Sequence, residues 1–212
     1  MANEIFEAIR KGDTPRVATL LASDPATARV RDDAGVSAIM QAIYHRRQAI
    51  VDLLRPHAGE LDIFEATTLG DTGRLRSLLR DHPDLVGTYS ADGFTPLHLA
   101  SFFSQPQAAE ELLAHGADPN AVATNGSKLA VINSAAASNN AALVKMLLRA
   151  GANPDAQQQG GFTALHAAAQ HNNAEMIQAL LDSGADVSIR TDDGKTAADM
   201  AGAEIKGMLQ KD

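Results

Sequence analysis

The chain has 212 residues, with 18 Lys and Arg against 26 Asp and Glu, a formal net charge of -8, and neither cysteine nor tryptophan. The missing cysteines exclude disulfides, thiolate zinc sites and thiol catalysis, and they fit a reducing compartment, for which the cytoplasm is the expectation. The acidic balance, with no basic cluster beyond Arg46-Arg47, argues against a nucleic-acid partner, and no apolar run reaches the roughly 18 residues of a membrane helix.

In chain order, residues 1–10 carry no basic segment leading into an apolar one, so no secretory leader is expected. Residues 3–31 read as two helices, 4–11 and 15–22, parted by Gly12-Asp13, with Glu4, Glu7, Arg10 and Lys11 outside, as suits a terminal cap. Residues 32–62 enter through Asp32-Asp33-Ala34-Gly35, form helices over 37–45 and 47–55, and leave by a short connection, 56–62. With residues 63–91 the chain begins again. A shift of 58 residues lays Ile5-Phe6-Glu7-Ala8 on Ile63-Phe64-Glu65-Ala66, Gly12-Asp13-Thr14 on Gly70-Asp71-Thr72, and Leu20-Leu21 on Leu78-Leu79. Residues 1–58 and 59–116 are therefore two copies of a two-unit block.

The clearest opening of a unit is Gly93-Phe94-Thr95-Pro96-Leu97-His98-Leu99-Ala100. Gly93 suits a turn with positive φ, Thr95 a helix cap, and Pro96 a first helical turn, so helices are expected over 96–103 and 106–114. The octapeptide returns as Gly161-Phe162-Thr163-Ala164-Leu165-His166-Ala167-Ala168, with helices at 164–171 and 174–181, and again as Gly194-Lys195-Thr196-Ala197-Ala198-Asp199 in a short C-terminal piece. Between the first two lies a looser copy with helices at 131–138 and 142–149, whose entry is lengthened by two residues within 124–128. Gly116, Gly151 and Gly184 follow the outer helices as left-handed stops. One short helix cannot bury its own apolar face, so such units must stack.

These residues carry a resemblance to the ankyrin-repeat family. Thr95-Pro96-Leu97-His98-Leu99-Ala100, Leu112-Leu113 and Gly116-Ala117-Asp118-Pro119-Asn120-Ala121 resemble that family's unit of two antiparallel helices and a projecting finger. The resemblance implies an all-α solenoid of stacked helix pairs with β-turn fingers, about six units plus a cap. It implies one domain over 1–212, with units at 3–31, 32–62, 63–91, 92–124, 125–158 and 159–192 and the cap at 193–212. Met40 and Asn133 depart from it by standing where the family has His, and 56–62 is too short for a full finger.

Enzyme signatures are missing. Gly194-Lys195-Thr196 ends like a phosphate-binding loop, but Ile189 stands where that loop needs glycine, and no G-x-S-x-G, H-E-x-x-H or G-x-G-x-x-G pattern exists. No enzyme activity, cofactor or metal is expected. The resemblance gives His98 and His166 the structural role of tying a helix start to neighbouring turns, and it separates His45 from His171 along the stack, so they share no zinc site. It also implies a partner surface on the concave side, made of finger tips and the last turns of inner helices. Carried over by position, that surface includes Tyr44, His45, Asp92, Phe94, Phe102, Phe103, Gln159, Phe162, Gln170 and His171, with Ala137 and Ser138 between them. Exposed, the aromatic rings mark a binding site; turned inward, Phe102 or Phe103 fills space beside the small residues 135–137. The expected function is that of a non-catalytic module binding a protein partner, with a stoichiometric inhibitor of a partner enzyme as the alternative. A monomer is expected, with neither nucleic acid nor membrane as partner.

Overall fold

The computed structural model describes residues 2–210, and Met1, Lys211 and Asp212 of the expected domain lie outside the described residues. Its helices come in pairs: α1 (Ala2–Lys11) with α2 (Thr14–Ser23), α3 (Ala38–Tyr44) with α4 (Gln48–Leu54), and α5 (Ile63–Thr68) with α6 (Thr72–Asp81). There follow α7 (Pro96–Phe102) with α8 (Pro106–Ala114), α9 (Val131–Ala137) with α10 (Ala141–Arg149), α11 (Ala164–Gln170) with α12 (Ala174–Asp182), and the short α13 (Ala197–Met200) and α14 (Ala203–Lys206). Among the described residues there is no strand, only isolated bridges at Arg31–Ser37 and Val122–Ala130 where chain enters and leaves a finger. The fold is the all-α repeat architecture expected from the sequence.

The chain divides into two compact units, Met1–Glu65 and Ala66–Asp212, and the division falls inside α5. In the first, α1 packs on α3 and α2 on α4, burying Ile5, Ile9, Ile39, Ile50 and Leu54. In the second, an inner row runs α7, α9, α11, α13 and an outer row α6, α8, α10, α12. Leu97, Leu112, Ile132, Leu143, Leu165 and Leu180 fill the space between rows. Ala100, Ala135, Ala136, Ala168 and Ala169 are wholly buried along the inner row, where their small side chains let successive helices approach.

Fingers of the second unit are joined backbone to backbone. Thr124 N–H donates to the Gly93 carbonyl (2.9 Å), Gln159 N–H to that of Ser127 (2.8 Å), and Asp192 N–H to that of Gly160 (2.9 Å). A Cβ on Gly93 would lie 2.9 Å from the Asn125 nitrogen, and one on Gly161 2.9 Å from the Thr191 Cα, with φ of +86° and +78°. Glycine is therefore required twice over, by backbone conformation and by the next finger's approach. The lengthened loop 124–128 bonds one neighbour through Thr124 and the other through Ser127, so the insertion is absorbed without breaking the row.

Inner helices end one residue earlier than expected at 45, 103, 138 and 171, for one reason. Each of these residues is a cap followed by a left-handed residue: Arg46, Ser104, Asn139 and Asn172 have φ of 54°, 54°, 55° and 50°, and Gly12 and Gly70 take the same place after α1 and α5. All six close the same turn. At Ser104, its own N–H donates to the Ser101 carbonyl and that of Gln105 to the Ala100 carbonyl. The next residue has one of two jobs. Asp13, Asp71, Asn140 and Asn173 cap the following outer helix through their side chains, whereas Arg47 and Gln105 do not. Arg47 instead donates from Nη2 to the Arg10 carbonyl (3.0 Å), and Gln105 from Nε2 to the Thr68 carbonyl (2.8 Å). These long side chains run over the glycine turns: a Cβ on Gly12 would meet Arg47 at 3.0 Å, and one on Gly70 would meet Gln105 at 2.6 Å. The pairs Gly12 and Gly70, Arg47 and Gln105, and Arg10 and Thr68 are each 58 residues apart, so the duplicated block repeats this interaction as well as its sequence.

Two outcomes are expected. A left-handed Ser104 is strained relative to glycine and its side chain is exposed, so Ser104→Gly should raise stability by about 0.5–1 kcal/mol, with a smaller gain for Asn139→Gly because Asn tolerates this conformation. Thermal melts of both variants decide it, and an equal or negative effect at Ser104 contradicts the strain. The smaller compact unit buries less apolar surface, so in peptide-resolved hydrogen exchange the amides of α1 to α4 should exchange before those of α7 and α8. Uniform protection over residues 4–110 would contradict this.

Candidate functional site

Thr95 caps α7, and its N–H and Oγ1 lie 3.2 and 2.7 Å from Nδ1 of His98. The other ring nitrogen, Nε2, lies 3.0 Å from the Leu129 carbonyl of the next finger. A carbonyl only accepts, so Nε2 carries the proton and Nδ1 is the acceptor. His166 repeats the arrangement, with Thr163 N–H and Oγ1 at 3.2 and 2.9 Å from Nδ1 and the Lys195 carbonyl 3.2 Å from Nε2. Both rings are buried, and burial pushes both pKa values below the ordinary 6.5, against the smaller opposing effect of the carbonyl that each ring meets. The structural role expected of these histidines is the one observed. In the C-terminal piece Asp199 takes the same position and accepts from Thr196 N–H and Oγ1, both at 2.9 Å.

Fingertip aromatics rest on these rings. Phe94 lies 6.0 Å from His98 and Phe162 5.8 Å from His166, centroid to centroid, with the rings of each pair inclined at 54° and 66°. Phe102 and Phe103 stand differently. They meet edge to face at 5.1 Å on the last turn of α7, and Phe102 is 46% exposed, beside a half-buried Phe103. The Phe102 ring is thus part covered and part open to solvent.

Of the other expected residues, Phe162, Gln170 and His171 come together around one cavity of about 260 Å³, completed by Asn133, Ala137, Gln158, Thr163 and Ala167. Gln159 is exposed at its fingertip, and Asp92 accepts from Ser90 Oγ within its own finger. Tyr44 and His45, at the end of α3, belong to the other compact unit. A second cavity of about 170 Å³ is lined by Val86, Tyr89, Thr95, Ala117 and Ala121, with the Tyr89 hydroxyl donating to the Val122 carbonyl (3.1 Å) at its edge. Tyr89 and Val122, both close to half exposed, were outside the expected surface. Among the described residues no three His, Asp or Glu side chains gather as a metal site, and no helix is long and apolar enough to cross a membrane.

The family model described as ankyrin repeats (3 copies) matches residues 5–123 and 132–207. The chain belongs to the ankyrin-repeat family. The interval between the two matched stretches, 124–131, is the lengthened finger together with the entry to α9. Ankyrin repeats are generally protein–protein interaction modules and typically non-enzymatic. Asn133, which departs from the ankyrin pattern, turns out to line the cavity; its unlikeness to His98 and His166 was the available signal.

The buried histidines give stability a definite pH dependence. Unfolded imidazoles take up protons as pH falls through 6.5, whereas the native rings do so only at lower pH. The unfolded state then binds more protons, so this contribution is complete above pH 6.5 and declines as pH falls toward the native values. The melting temperature should fall between pH 7 and 5.5. The drop should shrink in His98→Asn, a residue the fold already holds at the equivalent Asn133; an unchanged drop in that variant contradicts the assignment.

Proposed function

We propose that this ankyrin-repeat chain binds a protein partner, without catalysis, through finger tips and the last turns of its inner helices, all its repeats acting as one binding domain. The Phe102–Phe103 pair is the energetic centre. The observation that carries this reading is the 46% exposure of Phe102 on a fixed helical turn, edge-on to Phe103. An aromatic ring already packed on one side against a neighbouring ring loses little freedom when a partner covers its open side. Phe94 and Phe162 flank this centre as half-buried supports, with Gln170 and His171 as exposed polar groups of the sixth repeat. The acidic fingers, with Asp92 and Asp193, favour a partner carrying Lys or Arg at the rim.

The test is affinity capture on the full chain, identification of the captured protein by mass spectrometry, and titration against Phe102→Ala and Phe103→Ala. Each should weaken binding by about 2 kcal/mol and leave the melting temperature nearly unchanged. Unchanged binding with a sharp loss of stability would assign the rings to the core and overturn the reading.

A further inference from the structure

The fifth repeat breaks the rule that its neighbours keep. Where the fourth and sixth have Thr95 with His98 and Thr163 with His166, it has Ala130 with Asn133. Asn133 performs half of the histidine's task, since its Nδ2 donates to the Ala156 and Phe162 carbonyls of the next finger at 3.2 and 3.4 Å. The other half is lost: Ala130 has no hydroxyl, and the Asn133 Oδ1 is buried with no hydrogen-bond partner, in a residue only 3% exposed. A buried acceptor left unpaired is destabilising, and a donor brought in through the adjoining cavity would remove that cost.

The same repeat ends its inner helix on a small side chain. Ala137 stands where α7 has Phe102 and α11 has Gln170, and it lines the same 260 Å³ cavity as Asn133. Its walls include the Phe162 ring and the Ala137 and Ala167 methyls, and neither a carboxylate nor a Lys or Arg is among its lining residues. A cationic side chain would lose its hydration there with no counter-charge. An aliphatic one would leave Oδ1 unpaired. A flat apolar ring bearing one hydroxyl meets both demands, and its oxygen can accept in turn from the Gln158 or Gln170 amide, as an indole N–H cannot.

We infer that this cavity receives a tyrosine side chain of the protein partner, its phenol O–H donating to Oδ1 of Asn133 and its ring seated against Phe162, Ala137 and Ala167. The inference rests on the reading of this face as the partner surface, and it adds a specificity: a tyrosine seated between the fifth and sixth repeats, beyond the Phe102–Phe103 pair of the fourth.

The experiment needs no partner, so it fails separately from that reading. The full chain, labelled with 15N, is titrated with p-cresol and then with toluene, which has the ring but not the hydroxyl. p-Cresol should shift the Asn133 side-chain amide together with the Ala137, Ala167 and Gln170 amides, with an apparent affinity at least tenfold above that of toluene. Ala137→Phe, which restores the fourth repeat's residue and leaves Asn133 in place, should abolish these shifts while the rest of the spectrum is kept; Ala167→Leu closes the cavity from the other wall should the first variant not fold. Equal response to the two probes, or p-cresol binding that survives both fillings, would overturn the inference and leave the Asn133 oxygen as an unpaired cost of the fold.

Discussion

An imidazole that stays uncharged connects each well-formed repeat to the next. Its two nitrogens face in opposite directions: Nδ1 of His98 closes the start of its own helix on Thr95, and Nε2 reaches the Leu129 carbonyl of the following finger. Burial keeps the ring neutral, and neutrality supplies one acceptor and one donor from a single side chain. A doubly protonated ring would have no acceptor for Thr95. The fingertip phenylalanine then lies over the same ring, so cap, finger and neighbouring finger share one buried group. A row of fingers fixed in this way is ordered before anything binds it, which reduces the ordering cost of association.

Departures from this pattern fall into two kinds. Those in the turns between helices, Arg46 and Ser104, are backbone compromises at exposed positions. In the fifth repeat, by contrast, Ala130, Asn133 and Ala137 change a buried polar network and an inner-helix end together, and they open a cavity on the side where Gln170 and His171 are exposed. Defects of this second kind, concentrated at a surface with polar groups around them, are where stability has been traded for recognition in many scaffolds.

Helix positions were legible because caps and apolar spacing agree: Thr95 and Pro96 mark the start of α7 as plainly as Gly116 marks the stop after α8. The ends of inner helices were less so, since the left-handed residue is glycine at 12 and 70 but Arg or Ser at 46 and 104, residues that announce nothing. The 3-10 turns Pro25–Arg29 and Pro83–Gly87, which follow the outer helices α2 and α6, have no such plain marker of their form in the sequence. Phe94 and Phe162 were recognisable as fingertips, while their contact with the histidine four residues on was not. A cavity is harder still to read, because it consists of what Ala137 and Ala167 do not fill, and no letter in a sequence stands for empty space.

The glycine turns with a long side chain laid across them carry a consequence for how this chain grew. Gly12 is shaped to Arg47, and Gly70 to Gln105, so in this half of the molecule the element that is copied whole is a pair of repeats and not one. A loss of 58 residues, from a point in the first block to its counterpart in the second, would hand each surviving glycine an equivalent partner. A loss of a single repeat would set Asp71 after Gly12, and an aspartate can neither reach the Arg10 carbonyl nor donate to it. Descent by doubling has thus left a parity in the chain, with even steps permitted and odd ones penalised.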